Sequence, residues 1–179
     1  MSDGQNLLYP LSDLYLRDGL TLPAVTGIDG QQLPEPYKTL LVHETDMTST
    51  LEKFHDQRLR LCVMTRRHER DAYSREVLLL SETDQKPVEF GAIKINLQHF
   101  AEVIRRQILE EKRPLGAILY DEKIPYISRP IAFIQVTPDA LMKRLLGLGD
   151  NTLLFGRRNI LLGPSQQTLA DILEVLPPI

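Results

Sequence analysis

Tyr73-Ser74-Arg75-Glu76-Val77-Leu78-Leu79-Leu80 sets an arginine and a glutamate side by side inside an otherwise apolar run. The run reads as a β-strand, and strand alternation sends neighbouring side chains to opposite faces, so one of the two is expected to point inward. An inward Arg75 is a permanent cation that cannot neutralise itself and must meet an anion. Either a protein carboxylate or a ligand supplies it, and the planar guanidinium fork can bond both oxygens of a carboxylate. Arg129 and the adjacent pair Arg157-Arg158 complete a set of arginines near strand ends. By the same alternation, only one of Arg157 and Arg158 is expected to face inward. Inside the protein, Glu76, Glu89, Asp171 and Glu174 are the carboxylates available to pair with them.

Other chemistries lack their signatures. There is no glycine-rich phosphate loop, no HExxH zinc helix and no GxSxG nucleophile turn. His43, His55, His68 and His99 are scattered singly, which reads as surface or edge histidines, although His43 precedes a helix and can face a pocket. No metal and no organic cofactor are expected. Cys62 is the only cysteine, which excludes an internal disulfide and a thiolate cluster, and its neighbours Leu61 and Val63 point to a small buried side chain.

The elements that position the arginines follow from periodicity. The chain has 179 residues, 42% hydrophobic and 25% charged, which suits one domain with a sizeable core. Residues 1–38 read as an irregular segment packed on a domain spanning 39–179. Thr45 or Asp46 can cap a helix to about His55, with Met47, Leu51 and Phe54 on one face. Strands are expected over Leu59 to Val63, around Arg75, over Val88 to Leu97, Ile131 to Val136, Leu153 to Leu162 and Thr168 to Leu176. Phe100, Val103, Ile104 and Ile108 mark an amphipathic helix, and Pro138 can start another that runs to about Leu146. Short connections between consecutive strands favour antiparallel pairing, with helices over one face. The expected class is α+β.

Net charge is −3 at pH 7, and nothing in it favours nucleic acid or an acidic membrane. The basic run Arg66, Arg67, His68 and Arg70 is broken by Glu69 and Asp71, which reads as a solvated turn. No secretory signal and no bilayer-spanning run is visible, so the expected location is cytoplasmic. A small molecule is the expected partner, and oligomeric state is left open.

The order of Met47 in a helix, Tyr73-Ser74-Arg75-Glu76-Val77-Leu78-Leu79, Pro114-Leu115-Gly116 and Leu154-Phe155-Gly156-Arg157-Arg158 resembles the chorismate pyruvate-lyase superfamily. Pro87-Val88-Glu89-Phe90-Gly91-Ala92-Ile93 with Ile95-Asn96-Leu97 looks like its chorismate lyase-like branch. The resemblance runs from Thr39 to the C-terminus. It implies a sheet of about six antiparallel strands with helices over a closed ligand cavity. It also implies a lyase that splits chorismate into 4-hydroxybenzoate and pyruvate without metal or organic cofactor, within aromatic compound biosynthesis. Arg75 and Glu174 would be its catalytic residues, and Met47, Arg75, Leu115, Arg157, Arg158 and Glu174 would bind substrate. Glu174 stands where the family places a hydroxyl-binding glutamate, with Asp171 as the alternative. These two lie three residues apart, so a regular strand puts them on opposite faces. The same resemblance extends to a second function, a non-catalytic domain that senses a small carboxylate. Such sensors sit beside a DNA-binding helix-turn-helix, which the proline-rich first forty residues do not supply.

Overall fold

A computed structural model describes residues 3–179 of the chain. Helices α1 (Asp3–Leu7) and α2 (Leu11–Arg17) lead into strand β1 (Ala24–Ile28), then α3 (Tyr37–Leu41) and α4 (Met47–His55). Strands β2 (Leu59–Glu69), β3 (Ala72–Ser81) and β4 (Pro87–Asn96) form consecutive hairpins. Helices α5 (Glu102–Leu109) and α6 (Leu115–Asp121) follow, then β5 (Ile127–Thr137), α7 (Ala140–Leu146), β6 (Leu154–Leu162) and β7 (Thr168–Leu176). All strands join one antiparallel sheet of seven strands in the order β1-β5-β6-β7-β4-β3-β2. No helix among the described residues is long and apolar enough to cross a membrane.

Local chemistry sets the helix ends. The Asp46 carboxylate accepts from Ser49 N at 2.8 Å and starts α4, which turns Met47 and Leu51 into the core. The Asp139 carboxylate does the same for α7 through Met142 N at 2.8 Å, and Gly147, at φ 65, ends it in the left-handed conformation that favours glycine.

The sheet differs from the sequence expectation in two ways. It gains a seventh strand, because β1 lies within the supposedly irregular segment. Its residues are mostly exposed, so no inward–outward alternation marked it, and pairing with β5 is what makes it a strand. Helices also cover both faces, not one. On one side, α2 and α7 pack Leu11, Leu14, Tyr15, Met142 and Leu146 against Leu78, Phe90, Ala92, Leu173 and Val175. On the other, α3 to α6 pack over Val77, Leu79, Ile93 and Ile95. The Thr137-to-Asn151 segment therefore lies away from α4 and α6. Cys62, expected to be buried, is half-buried beside Met64.

Coverage of both faces answers the Arg75–Glu76 question in an unexpected way. The two side chains do point to opposite faces, yet both are buried, at 1% and 3% exposure. Burial, with Asp139 and Asp18 nearby, raises the Glu76 carboxyl from an ordinary 4.5 to about 7. A carboxyl raised on folding stabilises the protein fully below its unfolded value, and that contribution is lost as pH rises through about 7. Glu76→Gln should therefore gain stability relative to the parent between pH 5 and pH 8. Urea midpoints for both proteins at those two pH values check this, and a constant difference would contradict it.

Candidate ligand-binding site

Register across the sheet brings four strands to one concave floor. One row runs Arg75, Ile93, Ile172, Asn159 across β3, β4, β7 and β6. The next row toward α4 runs Val77, Gly91, Glu174, Arg157. Leu79 and Glu89 pair one step further along β3 and β4. Met47 and Thr48 from α4, Leu115 and Gly116 from α6, Leu61 and Tyr126 wall a cavity of about 70 Å³ above this floor. A Cβ on Gly116 would sit 3.2 Å from the Asp46 Cβ, so this glycine lets the starts of α4 and α6 approach closely.

Arg75 stands at one end. Its Nη2 donates to the Arg113 carbonyl at 3.4 Å, and its Cζ lies 5.9 Å from the Tyr73 ring centroid. The Tyr73 hydroxyl donates to Glu111 Oε1 at 2.5 Å, so Glu111, whose charge acts on Arg75, bonds Tyr73 and, through its other oxygen, Arg66. Arg75 Nε and Nη1 have no hydrogen-bond partner. Burial lowers the pKa of this guanidinium, but arginine remains a cation at any ordinary pH.

Arg157 is the opposite case. It is fully buried, and its Nε donates to Glu174 Oε2 at 2.5 Å. Nη1 donates to the carbonyls of Leu41 at 3.2 Å and His43 at 2.9 Å, and Nη2 to that of Thr45 at 3.3 Å. His43 Nε2 lies 2.7 Å from the Leu40 carbonyl, which assigns the ring proton to Nε2 and leaves Nδ1 to accept from Arg157. Burial and the Arg157 charge lower the His43 pKa, consistent with a neutral ring.

Met47, Arg75, Leu115 and Glu174 thus line the cavity, and Arg157, bonded to Glu174, is not among its lining residues. The expected substrate contact from Arg158 is corrected. Strand alternation turns it to the other face, where it donates to Asn6 O at 3.0 Å and Asp171 Oδ1 at 3.4 Å and stacks on Tyr9. Asp171 goes with it, and Arg129 is exposed on β5. The sequence offered Glu89 only as an ion-pair partner and placed neither it nor Gly91, Asn159 or Tyr126 at the cavity. For Glu89 the signal was present, since it interrupts an apolar strand in the same manner as Arg75.

No protein-family model matches the chain, and no curated protein matches it by sequence. Solved structures do match. They include PhnF from Mycobacterium smegmatis, with TM-score 0.56 and 13% identity over 76% of this chain and 65% of that one. The match to the effector domain of PhnF has the same TM-score and identity and spans 74% of this chain and 88% of that domain. Gene product SA0254 from Staphylococcus aureus matches with TM-score 0.56 and 8% identity, over 74% of this chain and 88% of that one. The chain thus spans less than two thirds of the length of full PhnF. At these identities the likeness establishes the fold, a single α+β domain of the chorismate lyase-like kind.

This finding corrects the expectation of an enzyme. The fold on which the lyase reading rested is shared with PhnF and its effector domain. The chorismate substrate, the 4-hydroxybenzoate and pyruvate products and the catalytic roles of Arg75 and Glu174 are withdrawn with it. Glu174, expected to bind the substrate hydroxyl, is held in an ion pair by Arg157.

Breaking that pair should be costly, because it leaves an unpaired charge inside the protein. Arg157→Met should lower the unfolding free energy by about 3–5 kcal/mol. Urea unfolding measures this, and a loss under about 1 kcal/mol would mean that the pair is not the anchor its geometry describes.

Proposed function

We propose that this domain binds a small carboxylate without transforming it, as a ligand-sensing domain, with Arg75 as the counter-ion. One observation carries the reading. Arg75 is buried at the cavity with two guanidinium nitrogens unsatisfied and belongs to no ion pair among the described residues. A buried cation without an anion is costly, and a ligand carboxylate relieves that cost with the two parallel hydrogen bonds a guanidinium offers. The apolar walls from Met47, Val77, Leu79 and Leu115 supply the contact area that small-molecule sites use. The effector domain of PhnF, with the same fold, supports a binding output over turnover.

Cavity size bounds the ligand. At about 70 Å³ the space is roughly half of the 150 Å³ at which an engineered apolar cavity accepts benzene. Acids of a few carbons fit the cavity as it stands, and an aromatic acid requires the α4 and α6 wall to move outward.

The test is a thermal-shift and calorimetric series with acetate, propanoate, pentanoate and benzoate on the parent chain and on Arg75→Met. At a concentration of 100 Kd, a ligand that binds only the folded state adds about 2.7 kcal/mol of stability. At least one acid should do so for the parent and none for Arg75→Met. Without ligand the variant should be as stable as the parent or more so, since it removes an unpaired buried charge. Equal binding by parent and variant would eliminate Arg75 as the counter-ion.

A further inference from the structure

The chain between α3 and α4 meets the sheet at one imidazole. His43 stands in that link, half-buried and outside the cavity lining. Its Nε2–H donates to the Leu40 carbonyl at 2.7 Å, so Nδ1 carries the free lone pair. Three donors converge on that nitrogen: Arg157 Nη1 at 3.3 Å, Thr45 N at 3.2 Å and the Thr45 hydroxyl at 2.8 Å. The same hydroxyl lies 3.3 Å from that of Thr50 on α4, and Thr50 donates to the Asp46 carbonyl at 2.8 Å. One ring therefore joins the guanidinium that anchors the link to the helix whose Met47 and Thr48 wall the cavity.

We propose that His43 is a proton-operated latch: its neutral ring clamps the link to Arg157 and seats α4 over the sheet, and protonation at Nδ1 releases both. The inference concerns the movement of a cavity wall and stands whatever the cavity binds.

Hydrogen-bond chemistry makes the two states of the ring unequal. An added proton turns Nδ1 from an acceptor into a donor. The Thr45 hydroxyl can reverse its bond and accept, but an amide N–H and a guanidinium N–H have no such option. The imidazolium would also lie at hydrogen-bond distance from the Arg157 cation, where like charges repel.

The surrounding charges favour the neutral ring. Burial and the Arg157 charge lower the His43 pKa below its ordinary 6.5, and Glu174 opposes them only in part. Among the other acids on the link and around the Arg157–Glu174 pair, Glu44 is exposed and Asp46 caps α4 through Ser49 N. Burial, and then the Glu174 charge, raise the Glu89 carboxyl well above its ordinary range. A histidine lowered on folding gives its full contribution to stability above 6.5, and that contribution is lost as pH falls through the folded value. The loss falls on the link and on α4, because the partners of the ring lie there. Outward release of α4 is part of the movement that an aromatic acid requires of this wall.

The experiment is hydrogen–deuterium exchange of the whole chain at pH 7.5 and pH 5, read by mass spectrometry and corrected for the intrinsic pH dependence of amide exchange. In the parent, protection of α4 should fall about five-fold or more at pH 5 relative to β3 and β4. His43→Asn, whose Oδ1 accepts where Nδ1 does and takes up no proton, should hold α4 protection constant between the two pH values. His43→Lys, a fixed cation at the same place, should leave α4 weakly protected at both, and His43→Asn carries the test if the lysine variant does not fold. His55 on α4 is the competing titrant, since burial lowers its pKa as well. His55→Gln should therefore keep the parent's pH dependence. Constant α4 protection in the parent, or a pH dependence that survives His43→Asn, would overturn the latch. A dependence erased by His55→Gln would overturn it in favour of His55. A fall shared equally by α4 and the strands would also overturn it, because the proton would then act on the whole fold.

Discussion

The Arg157 guanidinium is the joint on which the cavity depends. It sits in the sheet on β6, is tied to Glu174 on β7, and donates to three backbone carbonyls of the chain that links α3 to α4. Leu41 closes α3, and His43 and Thr45 follow it, so the guanidinium supplies donors to carbonyls at and beyond the end of that helix. One side chain therefore satisfies the connecting chain, holds the start of α4 over the sheet and so fixes Met47 as a wall. It can do so because a guanidinium offers five donors in a rigid fork, which a lysine could not reproduce.

The same economy leaves the cavity electrically asymmetric. At one end a cation lacks an anion, because the nearby Glu111 bonds Tyr73 and Arg66. At the other, Glu89 lacks a cation, because Arg157 is committed elsewhere. Neither group neutralises the other across the cavity floor. Buried polar groups without partners are costly in an apolar cavity. Glu76, on the opposite face, is a further buried acid with no ion pair among the described residues, and it does not line this cavity.

Motif order and fold must be kept apart when the chain is assigned a role. The arginine strand, the proline-leucine-glycine helix start and the glycine-arginine-arginine strand record how a polypeptide builds this sheet and its helices. The fold itself is shared with the effector domain of PhnF at 13% identity, so it assigns no role on its own. Which carboxylates stand free depends on tertiary ion pairing, such as that of Arg157 with Glu174 across β6 and β7.

Much of the fold is legible in the amino-acid sequence. The helix cap at Asp46, the strand around Arg75, the α+β class and the separation of Asp171 from Glu174 follow from short-range chemistry and from the two-residue period of a strand. Period alone also states that Arg157 and Arg158 part ways. It cannot say which of them faces the cavity, nor that Arg75 and Glu76 are both buried, because alternation is blind to what covers each face. Edge strand β1 is invisible for a related reason, since its residues carry no burial pattern and its identity as a strand comes from pairing with β5. The unsatisfied state of Arg75 and Glu89 lies furthest from the sequence. A side chain's type shows what bonds it can make, but whether a partner is present depends on the tertiary register of four strands and on where Arg157 directs its donors.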